Sequence, residues 1–179
     1  MSLELIIGCM YSGKSTELLR RINRLKTIKN TYIIYNSVID IRYGSLGVYT
    51  HNKSHEPCKI VDNLMDQVKT YEYSKADTIF IDEGQFYKDL YEFVKLSVET
   101  HNKNVIVLGL DGDSNRNNFG DIHRLLPLCD DIIKLKALCS ICNNGSLGIF
   151  SKKILSSDSQ VDVGSVNKYI SVCRRCYLK

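Results

Sequence analysis

The sequence predicts an α/β protein, in which a parallel sheet and its helices carry a phosphate-binding loop and a smaller cysteine-bearing unit follows. Three observations carry this. Short apolar runs of strand length alternate with segments whose apolar residues recur at helical spacing, as βαβ units do. The first such run leads directly into Gly8-Cys9-Met10-Tyr11-Ser12-Gly13-Lys14-Ser15, a complete G-x-x-x-x-G-K-S. Past about residue 136 the chain turns to short polar pieces with glycines and two Cys-x-x-Cys pairs.

Taken in order, Leu3 to Ile7 is long enough for one buried strand, and Leu18, Leu19, Ile22, Leu25 and Ile28 then mark a helix starting near Ser15. Tyr32 to Tyr35 (YIIY) is a second strand. Residues 36–56 show no period and contain Gly44 and Gly47, which predicts a mobile loop. Residues 62–72 are expected to be helical. Thr78 to Asp82 (TIFID) is a β-branched strand ending in acid; Leu90, Val94, Ser97 and Val98 mark another helix, and Val105 to Leu110 (VIVLGL) another strand. Residues 1–136 are therefore expected to form a nucleotide-binding catalytic domain and 137–179 a small metal-binding one.

Composition narrows the function classes. At 44% hydrophobic and 25% charged residues, the 179-residue chain is ordinary globular protein. Its net charge of +4 is not gathered into a dense basic stripe, which argues against a nucleic-acid partner. No apolar run approaches the roughly 18 residues of a membrane span. The start of the chain lacks the basic and small-residue signature of a secretory leader. Seven cysteines, an odd number, point to a reducing cytoplasm rather than a disulfide framework.

The glycine-rich loop explains its own composition. Backbone N–H groups from Gly8 to Thr16 can turn inward onto phosphate oxygens, Lys14 can reach the terminal phosphates, and Ser15 can offer its hydroxyl to Mg²⁺. The preceding strand and following helix are the context this mechanism requires, so the loop is expected to hold ATP with Mg²⁺. Asp82 and Glu83 stand at the C-terminal end of a buried strand, where parallel sheets open onto ligands. Asp82 is expected to hold Mg²⁺, and Glu83 to act as a general base toward an attacking hydroxyl. Cys139, Cys142, Cys173 and Cys176 form two pairs about 30 residues apart, suited to a closed, structural Zn²⁺ site.

In combination, GCMYSGKSTELLRR, DIRYG…THNK, IDEGQF, LDGD…R…F, KLKALCSIC and NKYISVCRRC resemble, in order, the cytosolic-type thymidine kinase family, in its short bacterial and large-DNA-virus form. The resemblance spans essentially the whole chain. It implies transfer of the ATP γ-phosphate to the 5′-hydroxyl of thymidine by a RecA-like domain joined to a zinc domain, whose lasso loop closes over the base. It implies that Glu83 is the catalytic base and that Asp40 and Arg42 lie near the metal and phosphates. Met10, Phe86, Leu110 and Phe119 would line the thymine pocket, Ser151 would hydrogen-bond the base, and Val163, Gly164, Ser165, Val166 and Tyr169 would belong to the lasso. A homotetramer and feedback inhibition by thymidine triphosphate are further implications. Two departures, Asp113-Ser114 after LDG and a longer stretch with Gly145 and Gly148 before Phe150, fall on the base site. Two other readings share the loop and the acids: a nucleic-acid-stimulated, zinc-containing ATPase, and a nucleotide-binding module without chemistry.

Overall fold

In the computed structural model, residues 1–39, 47–49, 55–154 and 168–179 are described. Strand β1 (Ser2–Gly8) is followed by helix α1 (Lys14–Thr27) and strand β2 (Tyr32–Ser37). A short antiparallel hairpin, β3 (Gly47–Tyr49) with β4 (His55–Pro57), occupies part of the stretch expected to be loop. Strand β5 (Lys59–Val61) comes next, then helix α2 (Tyr71–Lys75), strand β6 (Thr78–Ile81), helix α3 (Leu90–Lys95) and strand β7 (Asn104–Gly109). Strand β8 (Asp131–Leu135) completes the sheet.

The six strands lie in the order β5-β2-β6-β7-β1-β8, and every pairing is parallel. Side chains alternate across the pleat, so each central strand feeds two cores. Leu3, Leu5, Tyr35, Ile79, Ile81, Val105 and Val107 face one side and pack with Leu90, Phe93, Val94, Ile122 and Leu125. Ile6, Ile34, Phe80, Ile106 and Leu108 face the other and meet Leu18, Leu19 and Ile22 of α1. This sandwich of helix, sheet and helix is the α/β class the sequence predicts.

The helix expected over residues 62–72 is instead two pieces. A 3₁₀ turn covers Met65–Lys69, and α2 begins only after Thr70, whose backbone is extended and whose side chain accepts the Tyr73 N–H. A threonine in that role caps a helix start and so interrupts a continuous one. After α3 the chain makes a π-helical turn, Leu96–Thr100. Beyond β8 lie two small antiparallel pairs, β9 (Ala137–Leu138) with β10 (Leu147–Gly148) and β11 (Phe150–Lys153) with β12 (Tyr169–Val172), and a short helix α4 (Arg174–Leu178). Among the described residues no helix is long and apolar enough to cross a membrane.

Candidate active site

All six strands point their C-terminal ends the same way, so whatever follows them gathers along one edge. Gly8 ends β1 and opens the phosphate loop; Ile81 ends β6 and is followed by Asp82 and Glu83; Gly109 ends β7 and is followed by Leu110. Strand β7 lies between β1 and β6. Two strand spacings put the loop and the acids roughly 10 Å apart, room for the end of a triphosphate and an attacking group.

The loop is sterically committed. A Cβ on Gly8 would come within 2.5 Å of the Leu135 carbonyl oxygen and 2.8 Å of Ser12 Oγ, so only glycine lets β1 pass this close to β8. Lys14 is buried at the start of α1, and its Nζ donates to the carbonyls of Gly8 and Cys9 at 3.2 and 3.1 Å. The ammonium thus lies across the mouth of the loop on neutral acceptors, which an anionic phosphate can outcompete. Ser12 Oγ is buried and has no hydrogen-bond partner among the described residues. That is an unsatisfied polar atom aimed into a loop built for oxygen-rich ligands.

Three consecutive loop residues are tied to three strands of the cysteine-bearing segment. Cys9 Sγ donates to the Gly148 carbonyl at 3.4 Å, and the Met10 N–H donates to Ser151 Oγ at 2.9 Å. The Tyr11 hydroxyl donates to the Tyr169 carbonyl at 3.3 Å. Burial pushes the Cys9 thiol above its ordinary value, so it stays a neutral packing group. Ser151, expected at the base, therefore also accepts a hydrogen bond from the phosphate loop.

At the acidic end, Asp82 is buried and its Oδ1 accepts the Glu83 N–H at 3.1 Å. Glu83 adopts a left-handed backbone (φ 51°, ψ 44°), a conformation that costs energy for a side chain of this kind and recurs at functional sites. It turns the chain sharply into the 3₁₀ turn Gly84–Phe86. The Glu83 carboxylate is half-buried and accepts from Gln85 Nε2 at 2.5 Å. Gln85 carries no signal in the sequence reading.

Of the expected pocket residues, Met10, Phe86, Leu110 and Phe119 are all half-buried, and the Phe86 and Phe119 rings meet edge to face at 5.7 Å. Tyr169 is buried on β12. Asp40, Arg42, Val163, Gly164, Ser165 and Val166 lie outside the described residues. The departure at Asp113-Ser114 has a structural role of its own. Asp113 Oδ1 accepts the N–H groups of Asn115 and Asn117, both at 2.8 Å, and folds its loop. The Ser114 carbonyl accepts the Tyr177 hydroxyl at 2.8 Å, and the Arg116 guanidinium stacks 4.4 Å above the Tyr177 ring. The D-x-N-x-N spacing was the available signal for this turn.

The four predicted cysteines converge: the sulfurs of Cys139, Cys142, Cys173 and Cys176 all lie within 4.8 Å of one another. A tetrahedral Zn²⁺ with Zn–S near 2.3 Å requires sulfurs roughly 3.8 Å apart, and the Cys142–Cys173 separation is 3.7 Å. Backbone N–H groups of Cys142 and Cys173 hold the Cys139 thiol well below its usual range, at about 6, whereas the hydrogen bond with Cys142 pushes the Cys176 thiol up to about 12, a proton that metal binding would displace. The donor set could hold a zinc. With no open position it would supply no chemistry beyond cross-linking.

A parallel sheet with a phosphate loop on one strand, acids at the end of the next strand but one, and four thiolate donors beyond it defines a phosphate-loop nucleotide-binding enzyme fold. Comparison with known proteins refines this. The family model described as Thymidine kinase matches residues 1–177. The chain is similar to the thymidine kinase of Sheeppox virus (strain KS-1), 38% identical over 98% of this chain and 96% of the relative. It is 37% identical to cytosolic thymidine kinase of Gallus gallus over 99% of this chain and 77% of that one. It is also 36% identical to the thymidine kinase of Oryza sativa subsp. japonica, over 98% of this chain, and spans 66% of that longer protein. The chain belongs to the thymidine kinase family, and its function is that family's, ATP-dependent phosphorylation of thymidine.

Proposed function

We propose that Glu83 takes the proton of the thymidine 5′-hydroxyl as that oxygen attacks the γ-phosphorus of ATP held by Gly8–Thr16. The observation that supports this best is the placement of Glu83 on the same sheet edge as the phosphate loop, across β7. The 5′-oxygen gains a bond to phosphorus, the β–γ bridging oxygen leaves with its electron pair on ADP, and the proton passes to Glu83 Oε. Lys14 leaves the Gly8 and Cys9 carbonyls for the phosphates, and Arg42 adds positive charge to the transferring group. Mg²⁺, held through Ser15, Asp82 and Asp40, would supply charge neutralisation. Met10, Phe86, Leu110 and Phe119 would line the thymine pocket, Ser151 would hydrogen-bond the base, and Val163, Gly164, Ser165, Val166 and Tyr169 would belong to the lasso. The division into a catalytic part, 1–136, and a zinc and base-closing part, 137–179, belongs to the same reading. So do a structural zinc, a homotetramer, feedback by thymidine triphosphate and a cytoplasmic setting.

Glu83→Gln tests the assignment. ATP affinity should stay within about twofold while turnover of thymidine falls roughly 10²- to 10⁴-fold. Near-native turnover in that variant would remove Glu83 from the mechanism. Measuring ATP hydrolysis with deoxynucleosides, and then with DNA, separates the kinase from the nucleic-acid-stimulated ATPase, which would respond only to the second.

A further inference from the structure

The carboxylate of Glu83 hangs on a half-buried side chain with three rotatable bonds. A base on such a side chain acts best when its rotamer is set before the 5′-hydroxyl arrives. The neighbouring Gln85 is only 4% exposed and is gripped at both ends of its amide. Its Oε1 accepts the Leu110 backbone N–H at 3.0 Å, and its Nε2 donates to Glu83 Oε2 at 2.5 Å. The backbone N–H can only donate, so the amide has one possible orientation, the one that aims its NH₂ at the carboxylate. The surroundings leave it no other place. A Cβ on Gly109 would fall 2.6 Å from Gln85 Oε1, and one on Gly120 would fall 2.2 Å from the Gln85 carbonyl oxygen. Two glycines at these points are what let β7 and the segment before Ile122 close over the glutamine.

We propose that Gln85 is the positioning residue of the catalytic base: a buried amide strut that runs from the end of β7 to the Glu83 carboxylate and fixes its rotamer. It touches no reacting atom. The strut starts at Leu110, a residue assigned above to the thymine pocket, so the base is referenced to the same backbone that frames the nucleoside. The inference rests on the reading of Glu83 as base.

The test is a double-mutant cycle on thymidine phosphorylation, using the full-length protein and radiolabelled thymidine. Gln85→Met keeps the volume and removes both hydrogen bonds. Loss of alignment of this kind costs roughly 10- to 100-fold in kcat, with KM for ATP within about twofold of the parent. In a Glu83→Gln background the same substitution should do nothing further, because a strut has no effect once the group it holds has lost its function. A purely structural glutamine would instead lower kcat by the same factor in both backgrounds. Gln85→Glu keeps the shape and the acceptor toward Leu110 while removing the donor toward Glu83, and it enters the same cycle if the Met variant does not fold. Full kcat in a folded Gln85 variant, or losses that multiply across the cycle, overturns the proposal. In the first case an inactive Glu83→Gln leaves the base assignment standing. An active Glu83→Gln removes the base assignment and the strut with it.

Discussion

Gly120 offers a measurement of how tightly the turn Gly84–Phe86 is packed. Its φ of +59° is left-handed, and an added Cβ would lie 2.2, 2.8 and 2.9 Å from the carbonyl oxygen, carbonyl carbon and Cα of Gln85. These are backbone atoms, which cannot swing aside. Gly13 is the matched control: its φ of +89° is also left-handed, but nothing lies within 4 Å of its Cβ position. Alanine at Gly13 should therefore cost only the backbone term, about 1–2 kcal/mol. Alanine at Gly120 adds an overpacking term of about 1–3 kcal/mol. For a chain of this size that difference is a further fall of about 2–12 °C in Tm. Because φ of +89° is the less comfortable angle for alanine, the control overstates the backbone term and the comparison errs toward too small a gap. Urea unfolding of both variants, with slopes checked for equality, gives the two losses directly. Equal losses would mean that the segment before Ile122 is not pressed on Gln85, and would undercut the buried strut as well.

Two further outcomes follow from charged and metal-binding groups. The Glu17 carboxyl, hydrogen-bonded first to Arg20 and then to Arg21, is drawn from its ordinary 4.5 down to about 2. The folded form therefore takes up the proton at lower pH than the unfolded chain, so the contribution is complete above pH 4.5 and is lost as pH falls toward 2. Glu17→Gln should destabilise by about 0.5–1 kcal/mol at neutral pH, since the Arg20 partner is exposed and the Arg21 pair only part-buried, and the gap to the parent should close across that window in acid unfolding. The four-cysteine cluster should carry one zinc per chain by elemental analysis. Cys176→Ser should abolish stoichiometric zinc and lower Tm by roughly 5–10 °C, as loss of a structural metal does. A metal-free parent with four freely reacting thiols would contradict the cross-link.

The parts of the fold that were legible in the sequence are those specified locally. The loop G-x-x-x-x-G-K-S, the run TIFID and the run VIVLGL each hold their pattern within a few residues, and the structure places them on adjacent strands of one sheet. The cysteine pairs were legible because thiolate spacing is a chemical signature. Strand β8 was not read because it is an edge: DIIKL leaves Ile132 44% exposed and alternates with Asp131 and Lys134, so it lacks the unbroken apolar run of a buried parallel strand. Strand β5 has only three residues, too few for any period. Residues 62–72 do carry helical spacing, but a periodicity count does not register that Thr70 caps a new helix. Gln85 was invisible for a different reason. Its role exists only through the N–H of Leu110, 25 residues away, and no pattern of residue types announces a pairing with backbone.

The ties between the phosphate loop and the cysteine-bearing segment also fix an order of events during synthesis. Cys9, Met10 and Tyr11 are made well before their partners Gly148, Ser151 and Tyr169, which lie 139, 141 and 158 positions later. Strand β1 fares little better, since its neighbours begin at Asn104 and Asp131. At translation rates of about 5–20 residues per second, the nucleotide loop waits on the order of ten seconds for the chain that will hold it. A growing polypeptide therefore carries the most recognisable motif of the protein before the three hydrogen bonds that tie it down can form. These three contacts are complete only once Tyr169 has been made, so a product truncated before Gly148 lacks all of them.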